Sequence, residues 1–256
     1  MRIAYIAANT FREAVRDRVL YNLIIFALLM IGSSLLLGQI TIGVERELLV
    51  NLGLTAISIF GVLIAIFIGI GLVSKEIDKR TVYTVLTRPV QRWQFILGKY
   101  FGLVSTLAVN TLFMAAGLFA ALLFVMRRFQ HADVYVLVAI FFILLQFIMV
   151  TSFTMLFSSF STPIESAVMA FCFFVIGNFS EDLRALAAAS TGAVKIFASA
   201  AAYLVPNFSA LNISSSVAHG EAVAGRIILL NTGYAILYSA AMVAAAALIF
   251  QRRDMK

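Results

Sequence analysis

Cysteine, histidine, proline and charge are all scarce in this chain. The single cysteine, Cys172, excludes an internal disulfide, and two histidines beside it provide no metal-ligand spacing. Only 12% of the 256 residues are charged, about half the ~25% of an ordinary soluble domain. With 62% hydrophobic residues and a mean hydropathy of +1.02, the chain has too little polar surface to cover a water-soluble core of its size. A cytoplasmic globular enzyme, a disordered chain and a disulfide scaffold are thereby excluded. No uninterrupted basic run exceeds two residues, so the net charge of +7 does not point to nucleic acid. It fits instead the flanks of membrane spans, where Lys and Arg gather on the cytoplasmic side.

What the sequence does contain is long stretches without charge. Residues 19–44, 48–74, 100–126 and 134–164 hold no Asp, Glu, Lys or Arg, and each is long enough to cross about 30 Å of hydrocarbon. Residues 163–179 just reach the lower limit of about 17, and 227–251 supply the last stretch. The expected fold is all-α, a single transmembrane domain over residues 1–256 with six membrane-spanning helices. Residues 196–218 are also uncharged, but Pro206-Asn207 interrupts them and Ser214-Ser215-Ser216 follows. They read as a short helix, a turn and a second short helix at or dipping into the outer interface, within an extracytoplasmic segment 181–226. With both termini in the cytoplasm, 13 of the 19 Lys and Arg fall on the inner side. The six outer cations are Arg46, Arg127, Arg128, Arg184, Lys195 and Arg226.

Three local patterns stand out. Ile3, Ile6, Ala7, Phe11, Ala14 and Val15 recur at helical spacing opposite Arg2, Asn9, Arg12, Glu13 and Arg16. This predicts an amphipathic helix over residues 1–18, lying along the cytoplasmic surface rather than serving as a signal peptide. Thr162, Pro163 and Glu165 read as a helix start, with Thr162 as N-cap and Glu165 as its capping-box partner. The third pattern is residues 74–99, SKEIDKRTVYTVLTRPVQRWQFILGK, which hold six of the inner cations. Glu76 and Arg80 are four apart and can pair on one helix face. Pro89 disfavours helix at Arg88, and Trp93 and Lys99 suit a return through the interface. The segment is far longer than joining two adjacent helices requires. It reads as a cytoplasmic handle for a partner.

These stretches resemble a family, the integral-membrane permeases of the type 2 ABC transporter (ABC-2) class. The likeness is greatest to the six-span branch that includes the nitrous-oxide-reductase maturation permease. NTFREAVRDRVLYNL at 9–23 and the run at 74–100 carry it most specifically, and LVPNFSALN at 204–212 and the terminal ALIFQRRDMK add to it. The resemblance implies an N-terminal elbow helix, re-entrant helices before span six, and a loop after span two that docks on a separate ATPase subunit. It also implies pairing with a second permease subunit, as a homo- or heterodimer, in a prokaryotic plasma membrane. The docking set would be Glu76, Asp78, Lys79, Arg80, Thr81, Arg88, Pro89 and Arg92, with Tyr83 and Trp93 packing it against the spans. No G-x-x-x-x-G-K-[ST] occurs in the chain, so ATP hydrolysis is expected in the partner and no cofactor is implied here.

Polar residues within the spans are few: Asn110, Gln146 and Asn231 are candidates to line a pathway, or to hydrogen-bond between helices. The absence of ionisable residues in mid-span argues against proton or ion coupling. It suits an amphipathic or lipidic cargo moved by energy supplied from outside the membrane. The side chains give no support to a copper or sulfur cargo. Gly61-x-x-x-Ala65, Ala65-x-x-x-Gly69 and Gly98-x-x-x-Gly102 offer small faces for close helix approach, within the bundle or at a dimer seam. A non-transporting adaptor that works on an extracytoplasmic partner through 181–226 is the alternative reading.

Overall fold

The computed structural model describes residues 2–16, 25–26, 29, 32, 45–78, 91–127 and 132–252. We number the helices among them α1 (Arg2–Arg16), α2 (Glu45–Asp78), α3 (Arg92–Met126), α4 (Asp133–Ser158), α5 (Pro163–Asn178), α6 (Ser180–Ala189), α7 (Gly192–Leu204), α8 (Ser214–Ala218) and α9 (Gly225–Arg252). The described residues form no strand. Most of the expected first span, 19–44, lies outside them.

Four helices are long and apolar enough to cross a membrane: the apolar lengths Glu45–Gly71, Trp93–Met126, Asp133–Ser158 and Gly225–Gln251. The fifth expected span differs. α5 has only 16 residues, and the chain bends by 60° at Phe179 into α6. Among the described residues a fifth crossing therefore exists only if the bent pair counts as one span. The charged cluster Glu181, Asp182 and Arg184 follows the bend, which is why the apolar length stops there. α5 begins as its sequence dictates. Pro163 occupies the first turn, and the Thr162 backbone N–H donates to the Glu165 carboxylate at 3.1 Å.

α4 is the centre of the bundle. Phe142, Met149, Val150 and Phe153 on it are fully buried, with α2 and α3 on its flanks and α9 beside it. The small-residue faces serve packing inside this bundle. A Cβ at Gly61 would lie 1.9 Å from the Phe147 ring, and one at Gly69 would meet Thr154 and Leu103, each at 3.1 Å. The stripe on α2 thus admits α4 to van der Waals contact. Gly98 and Gly102 do the same for α1 on α3. A Cβ at Gly98 would fall 2.6 Å from Ile6, and one at Gly102 only 2.7 Å from the Ala7 carbonyl.

The amphipathic N-terminal helix is therefore seated on the bundle itself. Thr10 and Ala14 are fully buried on that face while Tyr5 is exposed. Lys99 on α3 is 2% exposed, within 3.7 Å of Glu13 and over the Phe95 ring. Phe95 also stacks on Phe250 of α9. So α1, the start of α3 and the end of α9 share one end of the molecule.

Candidate functional site

The two ends of the expected docking segment are helical. α2 continues past its uncharged length, which ends at Ser74, to Asp78. Glu76 and Asp78 are on that extension, and Arg92 and Trp93 open α3. Gln91 caps α3, receiving the Trp93 indole N–H on its side chain while its own N–H donates to Gln94. Lys79, Arg80, Thr81, Tyr83, Arg88 and Pro89 lie outside the described residues. Trp93 is partly exposed and lines an apolar groove of about 650 Å³ with Tyr100, Val104, Ile236, Val243 and Leu248.

The three polar span residues have different fates. Asn231 is structural: its Nδ2 donates to the Ala210 carbonyl at 2.7 Å, holding the turn after α7. Asn110 is 2% exposed, and its Nδ2 faces the Met114 sulfur at 3.5 Å while its Oδ1 has no partner. Gln146 faces a cavity. Its Oε1 accepts a hydrogen bond from the Ser58 hydroxyl at 3.3 Å. The cavity, about 270 Å³, lies between α2, α4, α5 and the chain after the 3₁₀ turn Ser209–Leu211. Thr55, Ser58, Gln146, Asn178, Asn212 and Ser214 give it a polar wall, and among the described residues that line it none is charged.

One wall of this cavity is irregular backbone, which inside a membrane protein must be satisfied by protein. Pro206 to Asn212 are folded back against the bundle, with Phe208 fully buried among Phe153 and Phe174. Asn207 does most of the tying. Its Oδ1 accepts from Ser180 at 2.6 Å and from the Ala210 N–H at 3.1 Å, and its own N–H donates to Tyr234 Oη at 3.0 Å. The Ser209 hydroxyl donates to the Asn178 carbonyl at 2.6 Å. The expected short helix, turn and short helix is what the structure has, and the turn is the part that enters the bundle.

Above the cavity, the starts of α2 and α4 and the end of α8 are pinned together. Arg46 pairs with Asp133 at 3.0 Å and donates to the Ala218 carbonyl at 3.0 Å. Next to it His219 reaches Glu47 at 2.8 Å. The His219 Nδ1 hydrogen bond to the Ser215 carbonyl, and then the Glu47 charge, raise its pKa above the ordinary 6.5.

Sequence reasoning missed Ser58, Thr55, Asn178, Asn212 and Ser214 as cavity lining, because they come from α2, α5, the chain after the 3₁₀ turn and α8. It also passed over Thr151, Thr154 and Ser158, three fully buried hydroxyls on α4 that have no hydrogen-bond partner. Their i, i+3, i+7 spacing, the same helical face repeated, was the available signal.

Residues 4–255 match the profile of a family described as ABC-2 family transporter protein. No curated protein matches the chain.

Proposed function

The chain belongs to the ABC-2 transporter family, a multi-pass membrane component of ABC transporters, and from that premise we propose that it is the permease subunit of an ATP-driven exporter. The ATPase is a separate chain that docks on residues 74–99. The observation that carries this reading is the continuation of α2 past its uncharged length, which ends at Ser74, through Lys75 to Asp78. A continuous helix transmits a push along its axis without bending, because each turn is tied to the next by backbone hydrogen bonds. The same helix reaches the Gln146 cavity and the Arg46 pin, so a tilt imposed at Glu76 and Asp78 arrives at both. ATP binding and hydrolysis then bias a two-state bundle from outside the membrane.

The inner side is the end where α1, the start of α3 and the end of α9 meet. Among the described residues Arg2, Arg12, Arg16, Arg92, Lys99 and Arg252 belong to those elements, and Lys and Arg gather on the cytoplasmic side of membrane proteins. Both termini are then cytoplasmic, and the membrane is a prokaryotic plasma membrane. The described spans, with the expected first span, are half of a full translocation unit, so a second permease subunit completes it. The motifs at 9–23 and 74–100 support a place in the six-span branch named above. A second reading, a membrane adaptor acting on an extracytoplasmic partner, draws on Ile196 and Phe197, which are 70% and 76% exposed on α7.

Affinity purification of the full chain from membranes tests the proposal. A co-purifying ATPase, lost on combined Glu76→Ala and Arg80→Ala substitution, is expected. ATPase stimulation without flux of any labelled candidate in proteoliposomes, together with a co-purifying outer protein, would favour the adaptor.

A further inference from the structure

We propose that the cavity at Gln146 binds an uncharged, hydroxyl- or amide-bearing group, and that the seam between α2 and α4 is its route to the inner end of the bundle. The inference rests on the transporter reading above and names the class of cargo.

The cavity comes first. Its polar wall is three amides and three hydroxyls, with no charged side chain among the described residues that line it. A wall of that chemistry can donate and accept hydrogen bonds but cannot neutralise an ion, and a desolvated ion without a counter-charge is strongly disfavoured. Its volume of about 270 Å³ equals roughly nine waters at ~30 Å³ each. That suits a polyol or amide of monosaccharide size. Ser58 is 13 residues into α2 and Gln146 is 13 residues into α4, so the cavity sits about 20 Å along both helices at 1.5 Å per residue.

The route continues on α4. Thr151, Thr154 and Ser158 lie on one face, and the face is identified by its neighbours. Phe147 packs on Gly61 and Thr154 on Gly69, both on α2. All three hydroxyls are fully buried and without a partner. Thr106, Thr111, Ser159 and Thr232 bond the preceding turn at 2.7–2.9 Å. Thr10 and Ser239 are also buried without a partner, but they stand singly on other helices, whereas these three repeat along one face of α4. Three orphans in line, each a desolvated polar group with no hydrogen bond in return, are unfavourable for mere packing. They are useful where a hydrogen-bonding group passes. Across from them runs the Gly61, Ala65, Gly69 stripe, which carries nothing larger than a methyl group. The Phe147 ring, seated on Gly61, comes between the cavity and the first hydroxyl and closes the seam in this conformation.

The test uses the full chain in lipid nanodiscs with its one cysteine removed by Cys172→Ser. Single cysteines are placed by Ser58→Cys, Thr154→Cys, Phe67→Cys and Ser215→Cys. The probes are iodoacetamide, neutral and amide-bearing, and iodoacetate, its anionic counterpart. Ser215 is exposed beyond the spans, and Phe67 is 66% exposed on the outer face of α2. The Ser58→Cys thiol should prefer iodoacetamide over iodoacetate at least tenfold more than the Ser215→Cys thiol does. Thr154→Cys should react slowly, then at least tenfold faster when Phe147→Ala is added, while Phe67→Cys stays inert. An unreactive Ser58→Cys, or one that takes both reagents equally, overturns the assignment of the cavity. A Thr154→Cys that stays inert after Phe147→Ala, or is matched by Phe67→Cys, overturns the route. Whether an ATPase co-purifies is read from the same preparations. An ATPase captured with inert cysteines contradicts this inference alone, and the labelling pattern without any ATPase contradicts the transporter reading alone.

Discussion

The backbone N–H of Phe208 donates to the carbonyl of Gly177 at 3.1 Å, and the Phe208 ring covers the α-carbon of that same glycine. One glycine thus accepts both the backbone and the side chain of the turn that enters the bundle.

Gly177→Val removes that seat. The first carbon of any side chain there would lie 2.8 Å from the Pro206 carbonyl and 2.5 Å from Phe208, and backbone cannot swing aside as a flexible side chain can. Overpacking of this kind costs about 1–3 kcal/mol. Thermal unfolding in detergent should show a lowered melting temperature. Gly233→Ala, where nothing stands within 4 Å, should leave it unchanged or raise it, because alanine is the better helix former.

The seat of α1 on α3 makes a graded prediction. At Gly102 an added methyl meets the Ala7 carbonyl at 2.7 Å, whereas at Gly98 its nearest neighbours are side-chain atoms of Ile6. Gly102→Ala should therefore loosen α1 more than Gly98→Ala does, by about 1–3 kcal/mol against less than that. Tryptic cleavage after Arg12 in the intact protein should accelerate in that order. Equal rates would mean that α1 is held by its lipid-facing side instead.

His219 gives the outer pin a pH dependence of known sign. Its raised pKa means that the folded chain holds the proton more tightly than the unfolded one. The stabilisation by Glu47 and the Ser215 carbonyl is then complete below about pH 6.5, the unfolded value, and fades as pH rises through the folded value. His219→Gln should lower the melting temperature near pH 6 and have little effect near pH 8.5. A deficit that grows with pH would contradict the pairing.

Much of this architecture was legible in the sequence because it is written in local signals. The charge-free lengths gave α2, α3, α4 and α9, the Thr162-Pro163-Glu165 start gave α5, and Pro206-Asn207 marked the turn. The fifth length, 163–179, ends within a residue of α5, but composition does not show the 60° bend that follows or whether α5 and α6 make one crossing. α1 was read as a surface helix, since an amphipathic face fits a membrane surface and a neighbouring helix equally well. The Gly98 and Gly102 approach adds the neighbouring helix. The cavity escaped because Ser58, Gln146, Asn178 and Asn212 are ordinary residues until four elements bring them together. Asn231 had the same sequence signature as Gln146 and holds a turn, which no spacing rule distinguishes.

The central claim is that the energy enters through residues 74–99 from another chain. Its most direct test is capture of an ATPase by the full-length protein purified from membranes, compared with a variant lacking 81–92. The account predicts that the intact chain retains an ATPase and that the shortened one loses it while keeping its melting temperature. An ATPase still captured after the deletion would contradict the docking assignment.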